Sequence, residues 1–574
     1  MKKNIGIGYD NFSEIIEKNL YYVDKTLFIK DVINAGKVLL CTRPRRFGKT
    51  LNLSMVRYFY TNSQDFRPLF KGLAIENEPE FAQYAHKYPV ISVSLKSVKK
   101  DTWEPAYAHL KDTFQTLYGI HQHLLESEVL TKDEKKQFQA ILVGTASQNS
   151  YEKALFFLSK LLHNVYQQKV VILIDEYDTP IYPAYQNGYY RQMIDFLRSM
   201  MESALKDNPY LEKGLVTGIL RIVKESLFSG INNLDVFSIL SHHNISDKFG
   251  FTEEEVLQML EYYEFSEEKI NDAKSWYNSY IFGKFAIYNP WSVLNFASKP
   301  ENHAQAYWVN TSDNILLRSL LLAGNASLRD EIQSLIEGSK LISKVSEELS
   351  FADLPNSKNA AISLLLSSGY LKAKKLPQAE ENQLKALYEI SIPNLEVKDV
   401  YYSTIQHWLG QDLKLSESQY TKMIHYLLKG EIQPFKKYFT HFLEQTVSIA
   451  PLNPPSGGTK GVAPDTEIFY HALILGMMAG VSHQYIIKSN QESGYGRYDI
   501  CLIPKHFHTN QKGIVIEIKV ADERQSLKSS LNEAEKQLKN NRYDAELQAH
   551  GITDIFRLCL AVKGKKYEVR EVNS

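Results

Sequence analysis

The chain reads as an α/β protein, and three features predict that class. Lys169-Val170-Val171-Ile172-Leu173-Ile174 is a continuous β-branched run, the composition of a central parallel strand covered on both faces. Residues 37–60 pass from a short apolar segment through a Gly-containing turn into helical spacing. After residue 465 the pattern runs helix, three strands, helix, strand, which describes a second α/β unit near the other end of the chain.

Taken in order, Lys37-Val38-Leu39-Leu40-Cys41-Thr42 is the first buried strand, and Leu51 to Tyr60 has the apolar spacing of a helix. Val90 to Leu95 alternates like a strand, 169–174 is the central one, and Leu215 to Leu220 is another candidate. Strands separated by helical stretches argue for a layered domain with a parallel sheet. From about 246 to 440 the pattern is mostly helical, with Glu253 to Tyr263 and Asp313 to Leu322 as examples. Residues 451–461 are dense in Pro and Gly and read as a loop. A helix from Asp465 to Gly480 follows, then strands at 485–488, 497–503 and 513–519, a helix at 526–540 and a strand at 556–562.

The 574 residues correspond to about three to four domains. Apolar residues make up 44% and charged residues 23%, enough to build cores. Lys and Arg total 66 and Asp and Glu total 66, for a net charge of +0, so any nucleic-acid surface has to be a local patch. Cys41, Cys501 and Cys559 lie far apart, with neither zinc spacing nor a disulfide framework. They read as reduced core residues. The N-terminus is not followed by a signal-peptide apolar region, and the run Ala472 to Val481 is too short to span a bilayer. The expectation is a soluble cytoplasmic protein with no membrane partner.

Arg43-Pro44-Arg45-Arg46-Phe47-Gly48-Lys49-Thr50 closes in the Gly-Lys-Thr of a phosphate loop at a strand–helix junction. Gly48 lets the backbone approach, Lys49 reaches the β- and γ-phosphates of ATP, and Thr50 ligates Mg²⁺. Arg46 and Phe47 complete the nucleotide-facing stretch; Arg45 and Arg46 are either phosphate contacts or solvated loop charges. Arg43 stands where G-x-x-x-x-G-K-T has its first Gly. The partner motif is Asp175-Glu176, which ends an apolar strand: Asp175 holds Mg²⁺, directly or through water, and Glu176 orients or deprotonates the attacking water. The alternative for this pair is a solvated strand end. Thr217 is placed to sense the γ-phosphate and Arg221 to act as an arginine finger, although polar residues at a strand end are ordinary.

Tyr22-Val23-Asp24-Lys25-Thr26, Arg43 to Thr50, Ile174 to Pro180, Thr217-Gly218 with Lys224 to Asn233, and Tyr288-Asn289-Pro290-Trp291-Ser292 resemble the AAA-ATPase-like proteins found widely in bacteria. Members of that family often carry a C-terminal PD-(D/E)XK nuclease domain. The resemblance covers nearly the whole chain and is least distinctive over 325–430. It implies an N-terminal P-loop NTPase domain, AAA-like, with a parallel sheet over 1–245. A helical lid and middle region follows over 246–435, then a restriction-endonuclease-like α/β domain over 436–574. Arg43 in place of Gly resembles the family's own pattern.

For the nuclease-like end, period-two alternation puts Glu517 and Lys519 on one face of a strand, with Asp499 on the neighbouring strand. Two carboxylates suit Mg²⁺ or Mn²⁺, hard cations that prefer oxygen. Lys519 assists by positioning or activating water. Glu467 fits the acidic residue that these folds often supply before the core strands, and Gln537 resembles a glutamine seen in some branches. Tyr498 stands where the motif's Pro would be. Standing alone, Asp…Glu-x-Lys reads sooner as a surface strand with a salt-bridged pair; the strand order, Glu467 and the family resemblance favour the nuclease site. His471 is a metal contact or a packed histidine; Lys536, Lys539 and Arg542 line a phosphate-binding face or a solvated helix face. The combined expectation is an ATPase coupled to a Mg²⁺-dependent endo- or exonuclease acting on DNA, in defence or repair, with homo-oligomerisation left open. The alternative is a signalling or scaffold ATPase whose nuclease-like domain binds nucleic acid or protein without cutting.

Overall fold

The structure is a computed structural model. It describes all residues except 1, 223–226, 229–233, 242–243, 300, 302, 309–316, 318–325, 337, 349–350, 352–356, 378–385, 413–416, 447–473, 475–477, 479–480, 482–483, 494–495, 506–510, 522–524, 541–544, 564–565 and 573–574. The chain divides into two compact units, one of residues 1–310 with 341–397 and one of 311–340 with 398–574.

The first unit is built on a five-stranded, all-parallel sheet: β1 (Val38–Thr42), β2 (Val90–Ser94), β3 (Val170–Asp175), β4 (Leu211–Gly218) and β5 (Leu234–Phe237), in the order β2-β3-β4-β1-β5. Every residue of β1 and β3 is buried, as expected for parallel strands covered on both faces. Helix Lys49–Tyr60 packs Leu53, Val56 and Phe59 into the cluster that holds Leu39, Cys41, Val171, Leu173 and Leu215. Each such side chain contributes roughly 1.5–3 kcal/mol by leaving water. The order matters because β4 lies between β1 and β3: Cys41 pairs with Thr217, and Ile174 with Val216. A residue near the end of β4 therefore stands between the phosphate-loop strand and the strand that ends in Asp175.

The expected strand at 215–220 begins earlier and stops at Gly218, and β5 was not anticipated. The middle region carries the expected helices, Glu253–Tyr262 among them, and also two small antiparallel sheets. One is β6 (Phe251–Thr252), β7 (Tyr280–Phe282) and β8 (Phe285–Tyr288); the other is β9 (Leu341–Lys344), β10 (Lys372–Lys375) and β11 (Leu387–Ser391). The 451–461 loop and nearly all of the expected 313–322 and 465–480 helices lie outside the described residues.

The second unit is a mixed sheet in the order β12 (Tyr485–Ser493), β13 (Gly496–Pro504), β14 (Gly513–Val520), β15 (Ile555–Lys563), β16 (Lys566–Glu571), with only the β14–β15 pair parallel. Alternation along β14 sends Ile514, Ile516 and Ile518 to the cluster holding Met423, Leu427 and Phe435 of helices Glu417–Lys429 and Ile432–Thr446. Val515 faces the opposite way, toward Leu531, Ala534 and Leu538 of helix Leu527–Asn540. Glu517 and Lys519 continue that second row. The three cysteines are free and buried. Among the described residues, no helix is long and apolar enough to cross a membrane.

Candidate nucleotide and nuclease sites

The phosphate loop joins β1 to helix Lys49–Tyr60, and Gly48 caps that helix with φ 83°. A Cβ at Gly48 would meet nothing within 4 Å, so its requirement for glycine is conformational rather than steric. The helix N-terminus leaves backbone N–H groups for an anion. Lys49 is buried, and its Nζ donates to the carbonyls of Arg43 (3.0 Å) and Pro44 (2.9 Å), within its own loop. Burial pushes the Lys49 ammonium below its usual range, against the pull of Glu176, Asp175 and Asp178.

Asp175 is the hub of this site. Its Oδ2 accepts from the Thr50 hydroxyl at 2.8 Å, and its Oδ1 accepts from the Thr217 hydroxyl. Thr50 follows the loop, Asp175 ends β3 and Thr217 comes from the intervening β4, so the strand order is what brings the three together. Glu176 follows with φ 51°, and its carboxylate accepts from the Thr179 hydroxyl at 3.1 Å. These five expected residues, Lys49, Thr50, Asp175, Glu176 and Thr217, are gathered at one end of the sheet.

Other expectations need correcting. Phe47 does not present its side chain to a ligand; it is buried, edge-on to Tyr280 and against Phe282, with ring centroids at 5.0 Å in both cases. The Arg46 guanidinium lies over the Trp291 ring, 3.6 Å from its centroid. Arg221 is placed against Glu347 and Glu348, each at 3.9 Å. Arg43 is a core residue: its Nη1 donates to the carbonyls of Thr42 (2.8 Å) and Phe237 (2.7 Å), and its guanidinium packs on Phe249 and Phe282. Burial lowers its pKa to about 10. The side chain that replaces the motif's first glycine thus ties β1 to β5. The Tyr22–Thr26 segment is also a brace, because Lys25 Nζ reaches both oxygens of Glu255 (2.6 and 2.7 Å) and the Asp247 carbonyl (2.7 Å).

Sequence reasoning missed Asp178. It is buried, and its Oδ2 accepts from the N–H groups of Ile219 (2.9 Å) and Leu220 (2.8 Å), just past the end of β4. Burial raises its pKa, and the two N–H donors oppose that rise. The signal available in the sequence was a third acidic residue three positions after Asp175.

In the second unit, Asp499 and Glu517 come together one step beyond the Ile500–Ile516 pair of β13 and β14. Asp499 Oδ2 accepts from the Ile518 N–H at 2.6 Å. Lys519 Nζ is 3.5 Å from Glu517 Oε1. Glu517 is buried, and its Oε2 has no hydrogen-bond partner. Burial, reinforced by the Asp499 charge, raises its pKa to about 8, and Lys519 pulls it down. Two oxygen donors on adjacent strands, one with an unsatisfied buried oxygen, suit a hard divalent cation. Among the described residues no cluster of three metal-ligating side chains occurs; the expected third carboxylate, Glu467, lies outside them, as do His471 and Arg542. Gln537 Oε1 is buried without a partner. Lys536 is exposed, and Lys539 is paired with Glu535 at 2.7 Å.

Known proteins match both regions. Residues 6–228 match the family model described as predicted AAA-ATPase, and residues 465–572 match that of the PD-(D/E)XK nuclease superfamily. The chain carries an AAA-ATPase-like domain and a PD-(D/E)XK superfamily domain. The AAA-ATPase-like match encloses every residue of the Asp175 hub, and the superfamily match encloses Asp499, Glu517 and Lys519. Across both domains the chain is 24% identical over 555 residues to an uncharacterized protein in the vnfD 5′ region of Azotobacter chroococcum mcd 1, covering 96% of this chain and 95% of that one. A Walker-type ATPase of Pyrococcus abyssi aligns over 66% of this chain and 94% of its own, at 14% identity and a TM-score of 0.33.

Proposed function

We propose that the protein binds and hydrolyses ATP at the Asp175 hub and cleaves DNA at the Asp499–Glu517–Lys519 site. The observation that carries the first half is the single carboxylate that joins the Thr50 and Thr217 hydroxyls. Bound Mg²⁺ would neutralise charge on the polyphosphate, with Thr50 and Asp175 holding it. Lys49 exchanges its two loop carbonyls for phosphate oxygens. Glu176 orients the attacking water, and Thr217 ties the γ-phosphate side of the site to β4. Arg46 and Arg221 reach phosphate only by leaving Trp291 and the Glu347–Glu348 pair.

The second half rests on the unsatisfied oxygen of Glu517. Asp499 and Glu517 would hold Mg²⁺ or Mn²⁺, with Glu467 as a further carboxylate; the cation supplies Lewis-acid stabilisation of a scissile phosphate. Lys519 positions the attacking water and stabilises the developing charge. Gln537, on helix Leu527–Asn540, brings a buried amide oxygen without a partner. ATP and DNA are then the partners, and the setting is a cytoplasmic role in defence or repair. The test is a cleavage panel on single-stranded, double-stranded and circular DNA with Mg²⁺ or Mn²⁺, with and without ATP. Wild type is compared with Lys49→Ala and Asp499→Ala while phosphate release is followed. Cleavage lost only in Asp499→Ala, with phosphate release lost only in Lys49→Ala, is the expected pattern. Absence of cleavage of every DNA form would sink the nuclease half and leave a signalling or scaffold ATPase; absence of phosphate release would sink the ATPase half.

A further inference from the structure

The turn after β3 does more than present Glu176. Asp178 holds the N–H groups of Ile219 and Leu220, and the Tyr177 hydroxyl donates to the Leu220 carbonyl and accepts from the Ile222 N–H at 3.4 Å. The Tyr177 N–H also donates to the Thr217 carbonyl at 3.2 Å. Two consecutive side chains therefore grip the chain from Ile219 to Ile222, and the Tyr177 backbone holds Thr217 just before it. The grip needs glycine at the point of closest approach: a Cβ on Gly218 would lie 2.7 Å from Asp178 Oδ1 and 2.7 Å from the Tyr177 ring. The Gly218 carbonyl in turn accepts the Arg43 N–H at 3.0 Å, at the start of the phosphate loop. Neither Tyr177 nor Asp178 makes a hydrogen bond to Thr50, Asp175 or Glu176 side chains in this arrangement, yet the chain they fix carries the hydroxyl that bonds Asp175.

We propose that Tyr177 and Asp178 are positioning residues for ATP hydrolysis, acting through Thr217 by locking the end of β4 against the turn after β3. A structural brace of this kind would be unremarkable if it tied two solvent-facing loops. Here it joins the three segments that must keep register for chemistry: the phosphate loop through Gly218, the acidic strand through Tyr177, and the Thr217 strand itself. Nucleotide binding relies on Lys49 and the N–H groups at the helix N-terminus; Asp178 acts on Lys49 through its charge alone, and neither gripping side chain hydrogen-bonds to it. Its loss should therefore appear in turnover rather than in affinity. The inference rests on the hydrolysis reading above.

The experiment uses the full chain. Equilibrium binding of a fluorescent ATP analogue with Mg²⁺ and steady-state phosphate release are measured for wild type, Tyr177→Phe, Asp178→Ala, Thr217→Val and the double variants with Thr217→Val. Expected are affinities within about threefold of wild type, with kcat down at least about tenfold in Asp178→Ala and about threefold in Tyr177→Phe. In the Thr217→Val background each loss should shrink to less than about twofold, because residues acting through one contact are not additive. Tyr177→Phe keeps the ring packed on Phe228 and so serves if Asp178→Ala does not fold. Affinity falling in step with kcat, unchanged kcat, or full additivity with Thr217→Val would each overturn the positioning role while leaving hydrolysis standing. Wild-type protein that binds the analogue but releases no phosphate would overturn both.

Discussion

The two sites handle buried carboxylates in opposite ways. Asp175 has a hydroxyl on each oxygen, from Thr50 and from Thr217, and is satisfied without any ligand. Glu517 has one oxygen unpartnered, a second carboxylate beside it and a lysine at 3.5 Å, and its pKa is raised to about 8. A buried polar group without a partner costs roughly 1–3 kcal/mol, and more if charged. The first site is therefore pre-assembled by its own strands, whereas the second holds a cost that a cation would relieve. Ligand binding should rearrange side chains in the first site and stabilise the fold in the second.

The largest effects should separate the two sites. Lys49→Ala is expected to lower ATP turnover by roughly 10²–10³-fold, because on the proposed reading the loop's one lysine would bind the polyphosphate. Asp499→Asn is expected to lower DNA cleavage by a similar factor, roughly 10²–10³-fold. Each variant should leave intact the metal- or nucleotide-induced change in the other unit's melting temperature. A variant that removes both responses would break the comparison, because the sites would then not be separable.

Next in size is the stability of the second unit. The folded pKa of Glu517 lies above its ordinary 4.5, at about 8, so across that window the folded state binds a proton that the unfolded chain releases. Metal-free stability should accordingly fall as pH rises from about 4.5 to about 8, and Mg²⁺ or Mn²⁺ should restore it. Glu517→Gln should abolish the pH dependence and the metal response together, while raising metal-free stability at the upper end by about 1–3 kcal/mol. The measurement is thermal unfolding from pH 5 to 8.5 with chelator or with metal; a metal-free curve that rises with pH would contradict the raised pKa.

Arg43 tests whether the first site is as self-sufficient as its hydrogen bonds indicate. Arg43→Gly would restore the usual phosphate-loop pattern, yet it removes two bonds from a charged donor and empties the space between Phe249 and Phe282. A loss of about 2–3 kcal/mol in the first unit's unfolding is expected. Arg43→Met should cost less, about 1 kcal/mol, because it fills the space and removes the unpartnered Nε and Nη2 donors. Equal losses for the two substitutions would mean that the hydrogen bonds, and not the packing, carry the effect.

Arg43 also marks where the sequence stopped being informative. The β-branched run that ends in Asp175-Glu176 and the strand–turn–helix around Gly48 were legible because period and punctuation are local signals. So were Glu517 and Lys519, placed on one face by alternation alone. The insertion of β4 between β1 and β3 was not legible, since strand pairing over such separations leaves no local pattern. Hence Thr217 was placed near phosphate for a general reason, and its bond to Asp175 emerged only from the fold. A guanidinium in a phosphate loop reads alike whether it faces an anion or an aromatic core. That ambiguity bears on Arg43 and Arg46, which pack on aromatic rings, while Asp178 escaped notice because its partners are backbone N–H groups, which carry no sequence signature.

The smallest expected effect concerns the edge of the first site. Arg46 sits in the left-handed region, φ 70°, with its guanidinium over Trp291, whose helix is capped by Asn289 accepting the Trp291 N–H at 2.9 Å. The stacking holds the middle of the phosphate loop in an unusual backbone conformation, one that a non-glycine residue adopts only at some cost. A cation over an indole ring is worth about 0.5–1 kcal/mol at a partly exposed site, so Trp291→Leu should weaken ATP affinity by about two- to fivefold. Trp291→Phe, which keeps an aromatic face, should recover most of that loss. If Trp291→Leu instead tightens ATP binding, the stacked Arg46 competes with phosphate contact instead of supporting the loop, and the first site would share with the second the property of being strained until its ligand arrives.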